Sequence, residues 1–212
     1  PMPGRAPFPA LAWHAAGELA RGARSDEASV ISTLDAGLQA RLEPLVARAA
    51  RAQGAEASAA VMVVALDGRA VLASVGSAGL DRAGGWIDMP RALRSPGSAL
   101  KPFIYAMAFE QGLAAPDTRM ADAPRRYADY QPENFDRVFH DQVTAREALT
   151  HSLNVPAVDT LARLGPAAFE GRLQAAGVRL WRPRSETRDA GLAIALGGVG
   201  VSLRDMAVLY GA

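Results

Sequence analysis

An α+β fold, in the broad sense that takes in α/β, is predicted by three features of the sequence. Two apolar runs flank Asp67-Gly68, a helix beginning near Ser95 has no polar side in its middle, and capped helices follow from Thr144 onward. Apolar runs around an Asp-Gly pair are the strongest short-range hairpin signal, because both central positions of the tight turn favour positive φ. The runs here are Val61-Met62-Val63-Val64-Ala65-Leu66 and Ala70-Val71-Leu72-Ala73-Ser74-Val75.

The remaining elements follow in chain order. Residues 1–29, rich in Pro, Gly, Ala and Arg without a steady period, read as a linker or the tail of an upstream domain, and 30–212 as the principal domain. Val30-Ile31-Ser32-Thr33-Leu34 predicts a short strand. Asp35 then caps a helix with Leu38, Leu42, Leu45, Val46 and Ala49 on one face, bent at Pro44. Ser95 as N-cap and Pro96 at the first helical position open a helix to Gln111, ended by Gly112. Phe103 through Phe109 make it a buried central helix, and Pro102 should kink its first turns. The stretch 116–141 reads as loop-rich, with Tyr127, Tyr130 and Phe135 packing the loop or, alternatively, lining a cleft. Thr144 and Glu147 form a capping box for a helix through His151, a further helix spans 157–164 and ends at Gly165, and another covers about 167–176. A polar loop, the apolar stretch 191–201 and a final helix complete the chain.

Composition excludes several classes of function. With 212 residues, half of them apolar, and a formal charge of +1, the chain has material for a fair-sized core and is not disordered. No basic block is long enough to track a phosphate backbone, which argues against a nucleic-acid partner. Cysteine is absent, so there are no disulfides and no thiolate metal site. The spacing of His14, His140 and His151 fits no zinc pattern, and no Gly-x-Ser-x-Gly elbow is present for a histidine triad. No apolar run is long enough to cross a bilayer, and any export or anchoring segment is expected to lie outside this chain.

The chemistry concentrates on one cation. Of the 23 basic residues, Lys101 is the sole lysine, three residues after Ser98 in Arg94-Ser95-Pro96-Gly97-Ser98-Ala99-Leu100-Lys101. A guanidinium stays protonated in any protein setting, whereas a buried amine can lose its proton and act as a base. A serine one helical turn from such an amine is an activated nucleophile. Downstream, Ser152 and Asn154 stand at alternate positions beside a helix junction, where both can face one cleft; read alone, Asn154 also fits a helix cap.

These residues resemble a known family. Ser98-x-x-Lys101 and Ser152-x-Asn154 match two of the three motifs of penicillin-binding proteins and serine β-lactamases. The flanking text is more specific: Thr33-Leu34-Asp35 with Leu38-Gln39, the hairpin, Arg94-Ser95-Pro96-Gly97, Lys101-Pro102-Phe103, Tyr130 through Phe135-Asp136, Arg146-Glu147-Ala148-Leu149 and Ser152 through Val158 resemble the transpeptidase domain of a class A, bifunctional penicillin-binding protein. Gly85-Trp86-Ile87-Asp88-Met89 is most similar to the 1C type, and the likeness covers roughly 30–212. It implies a β-lactamase/transpeptidase-like fold, an antiparallel sheet plus a helical subdomain, truncated so that later strands are missing and one sheet edge is left unpaired.

It further implies a D,D-transpeptidase that needs no cofactor and acts on D-Ala-D-Ala stem peptides of peptidoglycan at the periplasmic face of the inner membrane, with β-lactams as inhibitors. A glycosyltransferase domain is expected upstream. Ser98 would be the nucleophile, its backbone N–H at a helix N-terminus half of an oxyanion site, with Lys101 its base, Ser152 a proton relay and Asn154 a substrate-binding residue. The same motifs also serve hydrolases of the superfamily, D,D-carboxypeptidases or β-lactamases, and a third reading is a non-catalytic scaffold of a wall-synthesis complex. The family's third motif, Lys-Ser/Thr-Gly, is absent, since Lys101 is the sole lysine. It carries the second oxyanion donor, worth ~10²- to 10³-fold in rate, so this stretch by itself is expected not to turn over substrate.

Overall fold

The computed structural model describes residues 10–211 other than Ser25, Glu27, Ala128, Asp129 and 183–190. Most of the expected polar loop before the last apolar stretch, and residues 1–9 of the connector, therefore lie outside the described residues. Two compact units emerge, Pro1–Ala92 with Ser202–Ala212, and Leu93–Val201.

The first unit is built on the hairpin, β1 (Val61–Val64) antiparallel to β2 (Val71–Val75). The hairpin forms as expected, but its positive φ values fall on Gly68 and Arg69, 71° and 54°, rather than on Asp67 and Gly68, and a register shift follows Val63. Each strand is shorter than its apolar run, because the shift ends regular pairing at Val64 and Val71. Two helices precede the hairpin: α1 (Trp13–Gly22) and α2 (Ala36–Ala52). Asp35 caps α2, accepting from Leu38 N at 2.7 Å.

The buried stripe of α2 is Gln39, Val46 and Ala50 with Leu42 partly buried, whereas Leu45 and Ala49 face solvent. The stripe is rotated from the expected one because Gln39 is drawn inward. Its amide donates to Ser74 O at 3.0 Å and accepts from Ser74 N at 2.9 Å, as a neighbouring strand would. Pro44 lies inside α2, where it removes one N–H from the helix ladder.

One expectation is extended in this unit and one is corrected. Within the supposed connector, 13–22 is helical: Trp13 meets Trp86 edge to face at 6.3 Å, and Glu18 pairs with Arg91 and Arg204. These contacts are distant in sequence, which is why no local period announces the helix. Residues 30–34 form no strand. Thr33 Oγ1 donates to Val71 O and Asp35 N to Leu72 O, but no ladder extends from them and Ile31 is fully exposed. The unit closes with α7 (Leu203–Tyr210), opened by a capping box between Ser202 and Asp205.

The second unit packs around α3 (Lys101–Glu110). The expected single helix from Ser95 is instead a 3₁₀ turn, Gly97–Leu100, followed by α3. Pro102 has no N–H to give, so it takes the second position of the α-helix, where that donor would be unused, and does not kink a helix interior. Ser95 caps nothing. Its hydroxyl donates to Gly197 O at 2.7 Å and accepts a long bond from Gly97 N.

Beyond α3, β3 (Arg119–Asp122) pairs antiparallel with β4 (Asp141–Thr144), a hairpin inside the stretch expected to be loop. Then come α4 (Ala145–Thr150), α5 (Asn154–Leu164), α6 (Pro166–Ala175) and a 3₁₀ segment, Leu192–Leu196. Tyr105, Met120, Val143, Ala145, Ala148, Leu153 and Ala157 form a shared core that joins α3, the second hairpin, α4 and α5. The α4 capping box is present as read, with Thr144 Oγ1 accepting from Glu147 N and Glu147 bonding back to Thr144 N. Thr144→Ala is expected to cost about 1 kcal/mol of stability, read as a lower urea midpoint.

Helix α5 starts at Asn154, three residues before the expected 157. Pro156 falls in its first turn, where a missing N–H breaks nothing. Tyr127 is tied to α5 through a 2.8 Å hydrogen bond to Asp159, which also pairs with Arg125 at 2.6 Å. Phe135 does not pack the loop: it is fully exposed.

Candidate active site

In a 3₁₀ turn, side chains three apart eclipse one another. Ser98 and Lys101 are related in this way across the turn that leads into α3, with Lys101 N donating to Ser98 O. Their environments differ sharply. Ser98 is exposed, while Lys101 is 1% exposed and the second largest fully buried side chain. The Ser98 N–H meets no acceptor among the described residues, as befits the first turn of a helical segment.

The buried ammonium is held by neutral oxygens alone. Lys101 Nζ donates to Ser152 O at 2.6 Å, to Asn154 Oδ1 at 2.6 Å and to Ser152 Oγ at 3.2 Å. With no carboxylate in contact, burial pushes its pKa down from the usual lysine range to about 8. The two short partners are carbonyl oxygens, which only accept and so claim two N–H bonds. At the third position stands a hydroxyl, which can give a proton as well as take one. The set therefore suits a neutral amine as readily as an ammonium.

The expected direct contact between Ser98 and Lys101 is not formed. Ser98 Oγ is not among the hydrogen-bond partners of Nζ, because the two carbonyls draw the amine toward the Ser152 to Asn154 corner. The structure thus brings Lys101, Ser152 and Asn154 into mutual contact and leaves Ser98 on the adjoining turn.

Local backbone explains how two separate motifs converge. After α4, Ser152 adopts φ of 54°, a left-handed conformation uncommon outside glycine. Leu153 N then returns to Ala148 O and Ser152 N to Leu149 O, so the chain reverses and presents both Ser152 oxygens to the amine. Asn154 opens the next helix, where the adjoining residue Leu153 supplies no side-chain cap. Asn154 Nδ2 donates to Glu133 O at 2.7 Å, which fixes its Oδ1 toward the lysine. Both ends of the carboxamide are therefore engaged within the protein.

Sequence reading missed the support beneath this corner. Asn134 is a buried polar residue bonded to Asn154, and Asp122 is a buried one bonded to Asn134; the likeness over 130–136 includes Asn134 but gave it no role, and nothing marked Asp122. Gly197 was also missed: Ser95 bonds its carbonyl, and a Cβ there would stand 2.5 Å from Gly97 N. The histidines stay outside the corner. His151 is the exposed residue closing α4, His140 is exposed, and His14 belongs to the first unit, bonded to Gly85 O. Among the described residues no cluster could hold a metal ion, and no helix is long and apolar enough to cross a membrane.

Residues 60–181 match the penicillin binding protein transpeptidase domain family. Penicillin-binding protein 1C of Escherichia coli (strain K12) is 41% identical over 189 residues, covering 88% of this chain and 24% of the relative. In fold, the chain is similar to the penicillin-binding protein PonA1 of Mycobacterium tuberculosis, with a TM-score of 0.67 at 22% identity over 86% of this chain and 49% of that one. It is similar also to PonA1 in complex with penicillin V, with a TM-score of 0.65 at 21% identity over 84% of this chain and 48% of that one. The short antiparallel sheets set among helices accord with a truncated transpeptidase fold. The chain spans about a quarter of the length of the E. coli relative. It belongs to the penicillin-binding protein transpeptidase family, as part of the transpeptidase domain of a class A penicillin-binding protein.

Proposed function

We propose that this chain supplies the nucleophile and base of a peptidoglycan D,D-transpeptidase. Ser98 Oγ attacks the carbonyl between the two terminal D-alanines of a stem peptide, and its proton passes to the Lys101 amine. As the C–N bond breaks, Ser152 relays a proton to the leaving D-alanine, and an ester remains on Ser98. An amine of a second strand then displaces Ser98, giving a cross-link and restoring the hydroxyl. With a β-lactam the ring amide opens but its nitrogen stays tethered, so the ester persists. Asn154 orients the substrate amide, and the Ser98 N–H faces the developing oxyanion. The reaction needs no cofactor. We place it at the periplasmic face of the inner membrane, with anchor and glycosyltransferase domain in other parts of the protein.

One observation carries this reading. A buried amine, lowered to about 8, binds Ser152 and Asn154 of one motif while eclipsing Ser98 of the other across a single 3₁₀ turn. Similarity to penicillin-binding proteins, one of them solved with penicillin V, supports it.

The test is covalent labelling of the full-length protein with a fluorescent penicillin, followed by peptide mass spectrometry. The adduct is expected on Ser98 and absent from Ser98→Ala. Label on another residue, or none on folded protein, would leave the scaffold reading. Incubation with a stem pentapeptide then separates the reactions: a cross-linked dimer marks the transpeptidase, and free D-alanine without dimer marks the carboxypeptidase.

A further inference from the structure

Behind the Lys101 corner lies a second row of polar groups that the proposed chemistry does not use. Asn134 is 4% exposed and Asp122 fully buried, both drawn from the stretch between α3 and α4. Asn134 Nδ2 donates to Asp122 Oδ1 and Oδ2, each at 2.9 Å, and to Val138 O at 2.8 Å. These partners only accept, so the amide can face one way: its Oδ1 must turn outward, where it accepts from Asn154 N at 2.8 Å. That N–H is an unused donor in the first turn of α5, and Asn134 caps it from 20 residues away. The neighbouring carbonyl of Glu133 takes Asn154 Nδ2. Asn154 is thus gripped at backbone and side chain by two consecutive residues of one loop, and its remaining oxygen is aimed at Lys101 Nζ.

We propose that Asn134, anchored by Asp122, is a positioning residue of the transpeptidase centre, holding Asn154 so that its carboxamide oxygen stays on the Lys101 amine; this rests on the reading given above. The arrangement also keeps charge at a distance. A carboxylate touching the amine would stabilise the ammonium and spoil the base, whereas here the carboxylate is two carboxamides removed and its effect on Lys101 is through geometry. His140 N donates to Asp122 Oδ2, so the anchor is itself pinned to the approach to β4. Hydrogen-bonded supports of this kind fix reacting groups to within fractions of an ångström, and a 1 Å misplacement can cost roughly 10²-fold in rate.

A merely structural Asn134 would lower the amount of folded protein without changing how fast each folded molecule reacts. The experiment therefore separates the acylation rate constant from the number of reactive sites, in full-length protein, using a fluorescent penicillin and stopped-flow mixing. Asn134→Ala is expected to lower the first-order acylation constant by roughly 10- to 100-fold, with the titre of reactive sites per folded molecule unchanged. Thr144→Ala, which loosens α4 without touching this chain of bonds, is expected to keep the wild-type constant. An Asn134→Ala protein that acylates within about twofold of wild type overturns the proposal.

Should Asn134→Ala not fold, the exchanged pair decides. Asn134→Asp sets two carboxylates against each other and is expected to acylate slowly. Adding Asp122→Asn returns one donor between the two side chains, keeps an acceptor for His140 N and one for Asn154 N, and is expected to regain roughly tenfold. No regain overturns the proposal. Failure of the wild-type protein to label at Ser98 is a different result, and it removes the transpeptidase reading itself.

Discussion

Lys101→Met is expected to lower the rate of Ser98 acylation by ~10²- to 10⁴-fold, the range of a lost general base, while the protein stays folded. Methionine retains an unbranched chain of similar length in a site that is 1% exposed, so packing is largely kept. Lys101→Arg is expected to be as slow, because a guanidinium keeps its protons. The pH profile supplies the sign. With the amine lowered to about 8, its unprotonated fraction rises through neutral pH. Acylation of wild-type protein should climb about tenfold per pH unit well below 8 and level off above it. A Lys101→Met protein that labels at the wild-type rate would remove the lysine from the chemistry.

Gly197→Ala is expected to have the next largest effect, although the residue bears no functional group. Its φ is 86°, and an added Cβ would lie 2.5 Å from Gly97 N and Ser95 Oγ and 2.6 Å from Gly97 Cα. Backbone atoms cannot yield cheaply, so the turn that carries Ser98 must move away from Gly197 or distort. Acylation should fall roughly 10²-fold, as for an ångström-scale misplacement. Strain at positive φ and the steric clash together should cost on the order of 2 kcal/mol or more in the urea midpoint. Gly177→Ala is the matched control. It has φ of 88° but nothing within 4 Å of the added atom, so it should lose only about 1 kcal/mol and acylate normally.

Features encoded by neighbouring residues were legible in the sequence. Asp67-Gly68 announced the first hairpin, Asp35 and Thr144 with Glu147 announced their helices, and the sole lysine marked the side chain on which Ser152 and Asn154 converge. What stayed hidden depends on partners far along the chain. The second hairpin has strands of four residues, Arg-Met-Ala-Asp and Asp-Gln-Val-Thr, too short and too polar for an alternation to stand out. Gly197 matters because it meets Gly97, a hundred residues earlier. Asn134 and Asp122 looked like ordinary loop residues, since Asn and Asp are common in turns. Only their burial, and the one-way orientation forced by their acceptors, separates them from that background.

The 3₁₀ turn shows the converse case. Ser98 and Lys101 were read correctly as one turn apart, but the type of turn was set by Pro102 and by the docking of Ser95 on Gly197. The direct bond expected between serine and lysine gave way to two carbonyl acceptors on the Ser152 to Asn154 corner. A pair seen in sequence thus became a four-residue candidate site, in which Lys101 Nζ bonds Ser152 and Asn154 rather than Ser98 Oγ.

Lys101 is the one lysine of these 212 residues, and in full-length protein its side-chain nitrogen is identified as the signal that Lys101→Met removes. Labelling with lysine enriched in ¹⁵N at Nζ and following the attached methylene protons by NMR between pH 6 and 12 yields its titration. A midpoint near 8 is expected for an amine lowered by burial. A midpoint above about 10, the value of a lysine in water, would contradict a buried base and with it the acylation mechanism.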